Sequence, residues 1–389
     1  MNDQSDIMIT APCRTALMHH ARAMYPVLRE RAARCAACRK VPDETVAEME
    51  AAGFFKVTQP KEYGGFEMPY HVFCEIVMEI ARGCPSSGWV YAVIGEHNQT
   101  VGGHHTAEAM EDIWGIDPST RVASGNAPDL EFTRSDGGWL VNGQLKYSSA
   151  CGHCTWHLSA GVIDGAPMKF VFPRGHSEIV DTWHVIGMEG TGSHDIKLKD
   201  VFLADHCVVP AAHRGAKFND APLFRQPQWS TNPYSLASVI VGAAQGALDI
   251  FTNDIRERTP RMGGGFKIGG LQSIQMRIAE SAAEIDAAKR MILGNLCETH
   301  EMLLAADTLT REIMARNRRD MAFAPILAKR AIERIFYASG ATSIYLSQDL
   351  QRYFRDVNAG AQQIFLDWDA NATIYGKVAL DVDTGSVRW

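Results

Sequence analysis

The strongest constraint on the fold is a change of hydrophobic period along the chain. Residues 13 to 115 read as helix, Ile116 to Pro210 carries alternation, β-branched residues and hairpin turns, and helical spacing returns past Pro233. In the last block Leu271, Ile274, Ile278, Ala282, Ile285, Ala288 and Ile292 keep a 3-and-4 spacing that predicts one helix with a buried stripe. Leu327, Ala331, Ile335 and Ala338 repeat the pattern before Gly340. Pro42 to Ala52, followed by Gly53, reads as a short capped helix. In the middle block Asp136-Gly137-Gly138 is a hairpin signal leading into the strand Trp139–Asn142. Met168–Phe172 and Ile196–Lys199 are further strands. The order predicts an α+β protein: a helical domain over 1–115, a β domain (barrel or sheet) over 116–215, and a helical bundle over 216–389.

Composition removes several classes of function. A chain of 389 residues, 46% hydrophobic, can bury a large core. A net charge of -7 argues against nucleic acid, which requires clustered Lys and Arg. The best apolar run, Leu236 to Ala244, is too short to span a bilayer, and the N-terminus has no basic segment ahead of an apolar one, so a cytoplasmic location away from membranes is expected. Nine scattered cysteines fit a reducing compartment. Cys35/Cys38 and Cys151/Cys154 with His157 have C-x-x-C spacing, but neither has the second ligand pair of a structural zinc site, and no metal is expected.

The chemically dense stretch is Gly143 to Gly161, GQLKYSSACGHCTWHLSAG. A strand that runs into Ser148, Ser149, Ala150, Cys151 and His153 presents hydroxyls and backbone N–H groups at a sheet edge. Such an edge suits a planar, hydrogen-bonding ligand. Hydroxyl capping of a strand end is the plainer use of the same residues. The glycine cluster from Gly263 to Gly270 follows helix rather than strand, so it is not a dinucleotide fingerprint.

Glu50–Phe55 running into Pro60-Lys61-Glu62-Tyr63-Gly64-Gly65, in the helix–β–helix order, resembles the acyl-CoA dehydrogenase fold. Ser87-Gly88-Trp89 with His97-Asn98, Tyr147–His153 with Trp156, Gly190-Thr191-Gly192-Ser193, Ser339-Gly340-Ala341 and Arg355-Asp356 resemble its oxygenase branch, the two-component flavin-dependent monooxygenases related to 4-hydroxyphenylacetate hydroxylase. The resemblance implies reduced FMN or FAD supplied by a separate NAD(P)H-dependent flavin reductase, O2, a flavin C4a-(hydro)peroxide, and oxygenation of a small aromatic or related ring, with a CoA thioester open. It implies a homotetramer whose sites borrow neighbouring residues. Carried over by position, Ser149 lies beside flavin N5, with Ser148, Ala150 and Cys151 as neighbouring contacts. Thr191 and Ser193 line the cleft, and Trp183 packs near the ring system. Arg258 or Arg261 holds flavin phosphate, with Gly340 also at the cofactor. His97 hydrogen-bonds or deprotonates a phenol, with Trp89 and Ser124 also at substrate. His104 and His105 are expected at the surface. Gln363 falls where phenol hydroxylases of the branch commonly carry a His, and Ala150 replaces a frequent Gly, which keeps epoxidation and N-oxygenation open.

The rival reading is an FAD-containing acyl-CoA dehydrogenase. It needs a carboxylate to take the α-proton, yet Arg355 to Tyr375 contains no Glu, and only Asp356, Asp367 and Asp369 are at hand. A non-catalytic scaffold of the same fold is the remaining alternative.

Overall fold

The computed structural model describes residues 12–127, 129–260 and 265–389. The first block holds α1 (Arg14–Ala37), α2 (Asp43–Ala51), α3 (Tyr70–Gly83), α4 (Pro85–His104) and the single turn α5 (Ala107–Met110). Pro85 opens α4 at a position whose N–H has no intrahelical partner. Gly53 follows α2 in the left-handed conformation that the sequence signal required, at φ 76°.

The middle block forms two four-stranded sheets, not a closed barrel. Strands β1 (Val122–Ser124), β4 (Trp156–Ile163), β5 (Ala166–Pro173) and β8 (Val208–Pro210) make one. Strands β2 (Glu131–Ser135), β3 (Gly138–Ser148), β7 (His194–Ala204) and β6 (Ser177–Val180) make the other. Gly137 turns the β2–β3 hairpin as expected. The β3–β7 register slips between Leu145 and Ser148, where Tyr147 takes φ 60°. That bulge ends the strand at the serines and re-aims them.

The last block comprises α6 (Pro222–Arg225), α7 (Gln228–Thr231), α8 (Tyr234–Glu257), α9 (Gln272–Leu304), α10 (Arg311–Ala338), α11 (Asp349–Gly360) and α12 (Trp368–Ala379). Helix α9 runs a further twelve residues beyond Ile292, the last position of the predicted stripe. Ile274, Ile285, Ala288 and Ile292 are buried on it, whereas Leu271 is left exposed just ahead of the helix. The segment Gln228–Glu257 is long and apolar enough to cross a bilayer, but 83% of its apolar window is buried inside the protein, as in a core helix.

Helix α8 lies against α3 through Gly242 and Gly246, four residues apart and so on one face. A Cβ at Gly242 would stand 2.3 Å from the Met78 carbonyl oxygen, and one at Gly246 would stand 2.2 Å from that of Arg82. Backbone cannot retreat as a side-chain tip can, so Gly242→Ala is expected to cost on the order of 1–3 kcal/mol. Thermal melts of Gly242→Ala and of Gly376→Ala, at a half-buried helix position with open space, check this. Only the first should lower the midpoint, since nothing lies within 4 Å of a Cβ at Gly376.

Candidate active site

The strand end brings Ser149 against a tight turn at Met188–Ser193. Trp89 Nε1 donates to Ser149 Oγ at 3.1 Å. Ser149 Oγ and Ser193 Oγ are 2.7 Å apart, as are Ser193 Oγ and Thr191 Oγ1. Thr191 Oγ1 donates to the Met188 carbonyl at 2.9 Å. That last bond fixes every proton in the chain, because each hydroxyl has one to give. Thr191 must accept from Ser193, Ser193 must accept from Ser149, and Ser149 already accepts from Trp89. Ser149, half-buried, is left with one lone pair and no free proton.

The surrounding backbone is held in uncommon conformations. Tyr147, Ala150 and Met188 all have φ near 60°, and the Ala150 N–H donates to the Thr191 carbonyl at 3.0 Å. Three such residues around one cluster are over-determined by their surroundings, which is how functional sites store strain. Ser148 is fully buried with its Oγ unpartnered, and Cys151 Sγ donates to the Gly192 carbonyl. Trp183 Nε1 donates to the Met188 carbonyl, and its ring meets Tyr147 edge-on. Asp356 Oδ1 accepts from the Met188 N–H at 2.6 Å. Burial holds its carboxyl up near 7.

His97 and Ser124 line a neighbouring cavity of about 690 Å³. His97 Nδ1 lies 2.8 Å from the Val122 carbonyl, so it is the protonated nitrogen and Nε2 is an acceptor. Burial lowers His97 to about 4, so it is neutral at pH 7. Such an imidazole accepts a hydrogen bond from a phenol more readily than it removes the proton.

Other expected positions fall elsewhere. Trp89 belongs to the Ser149 cluster and does not line the cavity. Gln363 Oε1 caps the turn after α11 by accepting from the Phe365 N–H at 2.6 Å, and Phe365, two residues on, is the one that lines the cavity. Arg258 donates to the Ser339 carbonyl beside Gly340, so these two positions meet each other but lie apart from the serine cluster. Arg261 lies outside the described residues. His104 and His105 are 3% and 0% exposed, contrary to the surface expectation, because they pack beneath the segment that carries His213 and Gly215. Among the described residues the ligand atoms of Cys151, Cys154 and His157 do not converge, and His157 instead stacks on Phe172. Asp367 caps α12. Glu96, Lys169, Arg214 and Arg388 also line the cavity, and sequence reading did not single them out. Lys169 left one signal, a lone charge in the apolar strand Met168–Phe172.

The acyl-CoA dehydrogenase N-terminal domain model matches residues 16–114, and the C-terminal domain model matches 234–368. The chain belongs to the acyl-CoA dehydrogenase family. Within it, the chain belongs with the oxygenase subunits of flavin-dependent monooxygenases. It is 35% identical to the flavin-dependent monooxygenase oxygenase subunit HsaA of Mycobacterium tuberculosis, over 91% of this chain and 92% of the relative. It is 29% identical to the oxygenase component of an FADH2-dependent resorcinol hydroxylase of a Rhizobium strain, over 98% and 99%. The crystal structure of a 3-HSA hydroxylase from Rhodococcus superimposes with a TM-score of 0.90 at 32% identity, covering 95% of this chain and 98% of that one.

Burial lowers His97 and His153 to about 4 and His104, His105 and His157 to about 3. Between their unfolded value of about 6.5 and those values only the unfolded chain is protonated, so stability falls as pH falls below about 6.5. Glu96 and Asp356, both raised to about 7, act in the opposite direction over part of that window. Five groups outweigh two. The thermal midpoint should therefore drop between pH 6.5 and 5. A midpoint that held or rose over that interval would contradict these buried neutral histidines.

Proposed function

We propose that the chain is the oxygenase component of a two-component system. It takes reduced FMN or FAD from a separate NAD(P)H-dependent reductase and uses O2 to oxygenate an aromatic ring. When bound, the flavin supplies oxygen activation; the chain's own residues position, select and shield. The donor set suits such a group: an orphaned Ser148 hydroxyl, a half-buried Ser149 and strained backbone at one edge.

The observation that carries this reading is the one-way run of protons from Trp89 to the Met188 carbonyl. Ser149 can accept a hydrogen bond but cannot donate one. Flavin N5 bears a proton when reduced and a bare lone pair when oxidised. With Ser149 beside N5, the site favours the reduced form before any catalysis occurs. His97, neutral, receives the hydroxyl of a phenol in the adjoining cavity. Asp356, the only carboxylate of the rival's C-terminal segment that reaches this turn, is engaged with the Met188 N–H and holds the turn in place.

The three-domain division at 115 and 215 and a cytoplasmic location accompany the proposal, as does a homotetramer. Tyr337, Ile344, Tyr345 and Leu346 are 63% to 80% exposed around Gly340, a large apolar surface for a single chain to leave in water. A neighbouring subunit covering it would bring Arg258 and Gly340 to a second chain's cofactor. Light scattering should give four times the 42.9 kDa chain mass, and a monomer would remove this part of the reading.

The test is flavin selectivity. Reduced flavin should bind at least ~10-fold more tightly than oxidised flavin, which is about 1.4 kcal/mol. Ser193→Ala frees the Ser149 proton and should shrink that ratio, chiefly by tightening the oxidised form. Equal affinities in the native protein would contradict the assignment.

A further inference from the structure

The cavity beside His97 has a second end that the hydroxyl chain does not use. There Lys169, from β5, is 7% exposed and donates to Gln228 Oε1 at 2.7 Å. Arg214 and Arg388 line the same wall. Burial first, then Arg214 and Arg388, pull the Lys169 ammonium down to about 7. Among the described residues no carboxylate acts on Lys169 or Arg214 to offset this. Glu96 lines the cavity too, but its carboxyl accepts from the Ser235 hydroxyl and burial raises it to about 7, which favours its neutral form. Lys169 is buried with only the neutral Gln228 amide as a partner, while Arg214 and Arg388 reach it from exposed positions. A buried ammonium with no carboxylate to meet it is costly.

Two rulers give the distance from this end to His97. Val122, which holds His97 Nδ1, pairs with Trp156, while Lys169 pairs with Ala160 four residues further along β4. At about 3.3 Å per residue that is roughly 13 Å. The Lys169 charge acts on His104, the last residue of α4, which lies seven residues beyond His97 on the same helix. Seven helical residues span roughly 10 Å. The wall between carries Trp229, stacked at an angle on Phe365.

We propose that the substrate is an elongated aromatic carboxylate, its reacting ring against His97 and its carboxylate held by Lys169, Arg214 and Arg388 roughly 10–13 Å away. Which end reacts rests on the oxygenase reading; the anion end does not. A single hydroxybenzoate ring is too short to touch both. A cavity of about 690 Å³ has room for a second ring or a long side chain.

The groups around Lys169 are His104 at the end of α4 and His105 just after it, Arg214 after β8, Gln228 from α7, and Arg388, with His213 beside His104. None is acidic, so a bound carboxylate is the partner that restores the full charge of Lys169. Carboxylate affinity is then greatest below about pH 7 and declines as pH rises through it.

Calorimetry on the flavin-free protein tests this with a hydroxyphenylhexanoate, its methyl ester and hydroxybenzoate. The long acid should bind at least ~10-fold more tightly than either at pH 6, with the advantage shrinking by pH 8. Lys169→Met and Arg388→Ala should each reduce the acid-to-ester ratio; the second lies near the chain end and tests the idea even if the first does not fold. Equal binding of acid and ester, or a preference that survives both variants, would overturn the proposal. So would tighter binding of free CoA than of the acid, which would mark the cations as a phosphate site. No flavin enters the assay, so its failure leaves the oxygenase reading to be decided by flavin selectivity.

Discussion

The turn Met188–Ser193 is the point where all three blocks of the chain are tied together. Its Met188 N–H is held by Asp356 of α11, and its Ser193 hydroxyl by Ser149 at the end of β3. Gly190 packs so closely on α1 that a Cβ there would lie 2.2 Å from Cys35 Sγ. Removing any of these ties would let a backbone with two left-handed positions, Met188 and Gly192, relax. The turn's shape is imposed by its surroundings, and the Ser149 environment inherits that shape.

The chemical consequence of that shape is direction. Hydroxyl clusters can usually reverse their protons, but this one ends on a carbonyl that only accepts and begins at an indole that only donates. Ser149 is therefore an acceptor by construction. The neighbouring cavity is similarly predisposed: a neutral His97 at one end, and a cluster of cations without a carboxylate at the other. Burial supplies the neutral histidine, and the same burial makes a lysine whose one partner is the neutral Gln228 amide costly enough to be informative.

Much of the fold was legible because it rests on local periodicity. The α9 and α10 stripes, the Gly137 hairpin and the Gly53 cap each depend on residues within a turn or two of one another. The Ser149, Thr191 and Ser193 grouping was legible only through family resemblance, since strand pairing over more than forty residues brings them together. Gln363 illustrates the limit: position suggested a site residue, while a bond to the Phe365 N–H makes it a cap. His104 and His105 were misread because two adjacent histidines look polar in sequence, whereas the segment after β8 folds over them. Lys169, Arg214 and Arg388 come from a strand, a connecting segment and the C-terminal tail, and no spacing rule links them.

The central claim is that the Ser149 cluster holds a reduced flavin in a shielded site and governs its reaction with oxygen. Rapid mixing of the protein, loaded anaerobically with reduced FMN or FAD, against oxygenated buffer tests it most directly. The absorbance of oxidised flavin should return in at least two resolved phases, the last slower than for free flavin, and Ser149→Ala should collapse them toward one. A single phase at the free-flavin rate, together with tight binding of oxidised FAD and its anaerobic reduction by an acyl-CoA, would contradict the claim and favour a dehydrogenase.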